Sequence, residues 1–214
     1  MDNLIDTFCK VDDFCNVFTP EWEARLISKG EIKRRRVKRM SNSEIMTIII
    51  NFHQSHYRDF KNYYLGYVTK YLKSYFPSLL SYTRFIKVMP SVIVPLNAYL
   101  TTLFGKPTGI AFIDSTKIAV CHIIRAKRNK VFNGIAEHGK STMGWFFGFK
   151  LHLMVNHLGD ILSVKITGGN IDDRKPVPEM VKALSGKLYG DKGYLGKALV
   201  DKLRDKGVDL ITNV

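Results

Sequence analysis

Ile110-Ala111-Phe112-Ile113-Asp114-Ser115-Thr116 decides the fold: apolar residues run into an acid and then two hydroxyl side chains, the pattern of a buried strand ending on a carboxylate. A second β-prone stretch, Ile118 to Ile124, follows it. Just upstream, Gly105-Lys106-Pro107-Thr108-Gly109 interrupts regular structure and divides the chain into residues 1–108 and 109–214. Downstream, Trp145 to Val155 and Ile161 to Ile166 flank Asn156-His157-Leu158-Gly159-Asp160, which predicts a hairpin. Pro176, Val177, Met180, Val181 and Leu184, closed by Gly186, predict a helix covering the sheet, and acids at Asp172 and Asp173 suit its N-terminal cap. Leu188-Tyr189-Gly190-Asp191 repeats the signature of strand then acid. A helical stripe, Leu195, Ala198, Leu199 and Leu203, precedes a last strand at Val208 to Thr212. The order β-β-β-α-β-α-β describes an α/β domain whose mixed sheet begins with three antiparallel strands and continues through helical crossovers.

Asp114 and Asp191 each close an apolar strand, where open α/β sheets assemble their sites. Either residue alone also reads as a cap or turn residue. On neighbouring strands they would converge, and two like charges held together call for a hard cation such as Mg²⁺. A pair of such ions activates a water or hydroxyl on one side of a phosphorus and stabilises the leaving oxygen on the other, which is phosphodiester chemistry. Lys150, His152 and Lys192 lie near this pair in the sequence pattern, with phosphate contact, salt bridges and surface positions all open to them.

The first hundred residues read as mostly helical. Ser41-Asn42-Ser43-Glu44 carries the capping chemistry of a helix start, Tyr57, Phe60, Tyr63, Tyr64 and Tyr67 recur at helical spacing suited to core packing, and Ser81 to Met89 is a further short helix before Pro90 and Pro95. Ahead of them, Lys33, Arg34, Arg35, Arg36, Lys38 and Arg39 crowd into one short run, which either sits in water or binds a polyanion. The formal charge of +14 over 214 residues favours the polyanion. His53 and His56 are spaced for one helix face but lack a third ligand, so packing or surface positions explain them.

Composition removes several classes. A 45% apolar fraction excludes a disordered basic tail, and the absence of a fixed repeat excludes solenoids and propellers. Cys9, Cys15 and Cys121 are too few for a disulfide framework or four-ligand zinc site. No uninterrupted apolar run is long enough to span a membrane, and the acids after Met1 do not suit a signal peptide, so a cytoplasmic protein without a membrane partner is expected.

With these motifs in order, the sequence resembles the DDE transposases of bacterial insertion sequences, most closely the insertion sequence 982 group. The resemblance rests on Phe112-Ile113-Asp114-Ser115-Thr116, His138-Gly139-Lys140-Ser141-Thr142, Gly148-Phe149-Lys150-Leu151-His152-Leu153, Gly169-Asn170-Ile171-Asp172-Asp173 and Tyr189-Gly190-Asp191-Lys192-Gly193-Tyr194. It implies an RNase H-like fold, Mg²⁺- or Mn²⁺-dependent cleavage and strand transfer at inverted-repeat ends, and double-stranded DNA bound by a homo-oligomer. Asp114 and Asp191 resemble the first two catalytic acids, and the Ser115 and Thr116 hydroxyls are placed to orient the first. The family's third acid is a Glu on a helix after the last strand, whereas the last Glu here is Glu179. The resemblance therefore implies a chain truncated before that helix, with little strand transfer alone. A non-catalytic DNA-binding remnant and an RNase H-like nuclease are the alternatives, and Lys33 to Arg39, Lys150 and Lys192 are the expected DNA contacts.

Overall fold

The computed structural model describes residues 2–35, 38–142 and 144–212, and the chain forms two compact units, Met1–Thr102 and Leu103–Val214. The division falls ahead of the Gly/Pro cluster on which the sequence places it. Gly105 donates its N–H to the Ile161 carbonyl and the Asn156 amide donates to the Lys106 carbonyl, so the cluster is stitched into the second unit.

The first unit is helical: α1 (Asp2–Ser28), α2 (Asn42–Gln54), α3 (Phe60–Tyr63), α4 (Thr69–Tyr71), α5 (Tyr82–Val88) and α6 (Ile93–Thr102). The capping box at α2 is complete, with Ser41 Oγ accepting the Glu44 N–H at 3.0 Å and Glu44 Oε2 accepting the Ser41 N–H at 2.7 Å. A π-helical turn, Tyr64–Val68, joins α3 to α4 and lets the consecutive residues Tyr63 and Tyr64 both bury fully against Ile48, Phe85 and Val92. The first helix, the longest element, is not signalled by the sequence, because Pro20 and scattered acids blur its apolar stripe; Leu4, Val11 and Cys15 nevertheless anchor it in the core. Burial raises the Cys15 thiol to about 11, and all three cysteines are free. Across Tyr82–Thr102 the helical run spans 21 residues, long and apolar enough by length and composition to cross a membrane. Arg84 and Lys87 interrupt it, so it is not an unbroken apolar run.

The second unit is built on a six-stranded sheet: β1 (Ile110–Cys121), β2 (Glu137–Ser141), β3 (Gly144–Asn156), β4 (Ile161–Gly168), β5 (Gly186–Gly190) and β6 (Val208–Thr212), with α7 (Val177–Met180) between β4 and β5 and α8 (Lys197–Arg204) between β5 and β6. The order β2-β3-β1-β5-β6, with β4 also on β3, makes the expected mixed sheet: β1, β3 and β4 antiparallel, β1, β5 and β6 parallel. It differs from expectation at β2, at α7 and at the acids ahead of α7. The strand β2 is additional; its polar sequence carries no strand signal and is held extended by pairing with β3. The helix expected from Pro176 to Leu184 is only four residues, followed by turns that still bury Val181 and Leu184. Asp172 and Asp173 do not cap it, since Pro176 is its N-cap and receives no side-chain bond.

Residue parity in the strands sorts the two sheet faces. Ala111, Ile113, Met154, Leu188 and Val208 point to one face and pack with Val177, Leu199 and Leu203 from the α7 and α8 side. On the opposite face, Phe112 and Ile166 remain 44% and 60% exposed, and Phe112 stacks on Tyr189 with ring centroids 5.4 Å apart.

Candidate active site

Asp114 does not end its strand. β3 pairs with β1 along nearly its full length, so the ladder carries β1 on to Cys121 and leaves Asp114 in its interior. On the other side, however, the parallel ladder with β5 stops at the pair Ile113 and Gly190. Asp114 and Asp191 are therefore the first residues beyond that ladder, Asp114 within β1 and Asp191 just past the end of β5, where it caps the turn Lys192–Tyr194. Both are exposed, and both line one pocket of about 270 Å³. Each pins one carboxylate oxygen locally: Asp114 Oδ1 accepts the Ser115 N–H at 2.7 Å, and Asp191 Oδ1 accepts the Lys192 N–H at 2.6 Å. The second oxygen of each accepts no hydrogen bond among the described residues. An all-oxygen pair of this kind suits a hard divalent cation. No group of three or more His, Cys, Asp or Glu side chains among the described residues is close enough to hold one.

Of the rest of the pocket wall, the sequence places only Ser115 and Lys150 near the pair. Lys117, Lys140, Lys150, Asp173 and Tyr194 all contribute to it. Lys117 and Lys150 are directly opposed on β1 and β3, a like-charge pairing that disfavours the sheet unless neutralised. Asp173 neutralises one of them. The Lys150 ammonium donates to the Ile171 carbonyl at 2.9 Å and lies 3.0 Å from Asp173 Oδ1, with only 14% of its side chain exposed. Lys150 is thus a strut between β3 and the loop after β4 rather than a free cation. The neighbouring Asp172 is gripped by both Nε and Nη2 of Arg174, at 2.8 and 2.6 Å, and this grip together with the Arg174 N–H holds its carboxyl far below the usual range. Tyr194 is 2% exposed; burial raises its phenol to about 12, against a smaller lowering by Ser115. Its hydroxyl has no partner at hydrogen-bonding geometry among the described residues.

Two further basic residues are accounted for. His152 is not at the pocket: it is fully buried on the helix-covered face, with Nε2 2.9 Å from Thr167 Oγ1. Lys192 is exposed beside Asp191 and makes no ion pair with a described residue. In the first unit, Lys33, Arg34 and Arg39 are exposed and unpaired among the described residues. Arg35 is engaged, donating to the Pro20 carbonyl at 2.9 Å and lying 3.7 Å from Glu23, and Lys38 donates to Asn42 Oδ1 at 2.7 Å. Arg36 lies outside the described residues. His53 lies in the last turn of α2 and His56 lies beyond its C-cap at Ser55, so the two do not share a helix face.

Against known proteins, the transposase DDE domain family matches residues 104–214, just over half of the chain. No curated protein sequence matches. Among solved structures, the cryo-EM structure of the piggyBac transposase synaptic complex with hairpin DNA is similar at 9% identity and a TM-score of 0.47, over 86% of this chain and 45% of that one. The Mos1 transposase paired-end complex with the left transposon end gives 8% identity and a TM-score of 0.28, over 83% and 60%. A simian T-cell lymphotropic virus intasome in complex with PP2A regulatory subunit B56 gamma gives 13% and 0.31, over 56% and 43%. The chain thus spans between 43% and 60% of the length of these chains. On the family match over residues 104–214, this chain belongs to the transposase DDE domain family.

Proposed function

We propose that the chain is a transposase of the insertion sequence 982 kind, from a bacterial mobile element, with an RNase H-like catalytic unit that cleaves and joins double-stranded DNA at inverted-repeat ends. The observation that carries the reading is the placement of Asp114 and Asp191 side by side past the end of one parallel ladder, in one pocket, inside the matched domain. In that pocket Asp114 and Asp191 would hold Mg²⁺ or Mn²⁺, which supplies an activated water or hydroxyl and stabilises a departing oxygen. The protein's own part is positional: the Ser115 and Lys192 amides fix one oxygen of each carboxylate, and the Lys150–Asp173 strut braces the wall. The exposed Lys33, Arg34 and Arg39 of the helical unit are assigned to DNA backbone contacts, as a homo-oligomer on DNA in the cytoplasm.

Binding of Mn²⁺ followed by electron paramagnetic resonance tests the centre. Asp114→Asn and Asp191→Asn each weaken it by about 10-fold or more, since even residues behind metal ligands cost that much when changed. Unaltered Mn²⁺ affinity in both variants would refute the assignment. A non-catalytic DNA-binding role is the second reading, favoured by the lack of a third metal-distance acid among the described residues. Incubation with DNA carrying element ends separates the readings: joined products indicate transposition, cleavage alone a nuclease, and salt-sensitive binding without product the non-catalytic protein.

A further inference from the structure

We infer that Lys117 and Lys140 form a two-point phosphate clamp facing the carboxylate pair; the inference rests on the DNA-processing reading above. Both line the same pocket as Asp114 and Asp191, one on β1 and the other on β2, and neither forms an ion pair or side-chain hydrogen bond with a described residue. Their neighbour Lys150 differs in kind, because its charge is answered by Asp173 and its protons by the Ile171 carbonyl. The pocket therefore presents two carboxylates for a cation and two unanswered ammonium groups for an anion. A phosphodiester bound in this pocket would carry non-bridging oxygens that gain charge during in-line displacement, and the two ammonium groups would stabilise that charge. The clamp assigns the anionic half of the substrate to residues that the two-aspartate signature does not include.

The lysines act with opposite sign on the two ligands, which makes the inference testable without turnover. Without metal, the affinity of the chain for a short DNA duplex is measured against salt. Lys117→Met and Lys140→Met each reduce the slope of log K on log salt by about 0.9, one phosphate apiece, and Lys117→Arg restores it. Without DNA, the same Met variants bind Mn²⁺ about two- to fivefold more tightly, the size of an exposed charge–charge interaction removed beside the carboxylates. Lys197→Met, which removes the same charge from α8, leaves both readouts unchanged. Slopes and Mn²⁺ affinities equal to those of the unaltered chain overturn the clamp while Asp114→Asn still weakens Mn²⁺ binding and the DNA-processing reading stands. An unaltered chain that binds neither duplex nor Mn²⁺ overturns both.

Discussion

His152 shows how one side chain carries a pH dependence into the fold. It is fully buried, and its pKa lies below the ordinary 6.5 chiefly through burial; Lys150 and Lys165 push it further down and Asp173 opposes them. A group held neutral in the folded state but free to protonate when unfolded makes stability rise with pH. The contribution is complete above pH 6.5 and is lost as pH falls below it toward the folded value. Urea unfolding on either side of that pH should show the loss, and His152→Gln should flatten it. That this histidine belongs to the core is readable only from strand parity: it pairs with Ser115 and Lys165 on the helix-covered face. Asp173 hides its role for a similar reason, since an acid ahead of a helical pattern looks like a cap until the partner lysine is known.

Among the elements, β2 depends most on its neighbours. Its central residue, Gly139, lies against the backbone beyond β4, where an added Cβ would meet the Gly169 carbonyl oxygen at 2.2 Å. Having no side chain there allows β2 to lie over that turn, and overfilling a gap walled by backbone cannot be relieved by a rotamer change. Gly139→Ala should therefore cost about 1–3 kcal/mol in thermal or denaturant unfolding of the chain. The parallel core strands and their crossover helices are legible from apolar runs and periodicity. β2, with Glu137, His138 and Lys140, is not, because its conformation is imposed by a partner rather than by its own residues. The same holds for the length of β1: Ser115 and Thr116 look like a strand end, and only the thirteen-residue partner β3 keeps them in the ladder.

For the whole molecule, positive charge is the dominant quantity, with a formal +14 carried by two units that each have a separate core. The basic run of the helical unit is not uniform. Lys33, Arg34 and Arg39 stand free among the described residues, whereas Arg35 and Lys38 hold the segment to α1 and α2. Neutralising Lys33, Arg34 and Arg39 together should flatten the salt dependence of DNA binding by about 0.9 for each phosphate left unneutralised, with no change in unfolding. Arg35→Ala should instead lower stability, and an unaltered salt slope in the triple variant would remove the run from the DNA surface. Composition foretells the charge but not this division of labour, which depends on a hydrogen bond between residues fifteen apart in sequence.

The four-pair ladder between β1 and β5 has a mechanical consequence. A cation held by both Asp114 and Asp191, as proposed, would favour the zipped ladder by as much as it binds that state better than the unzipped one. Loosening Leu188 or Val208, buried residues distant in role from either carboxylate, would then weaken cation binding as well as the sheet.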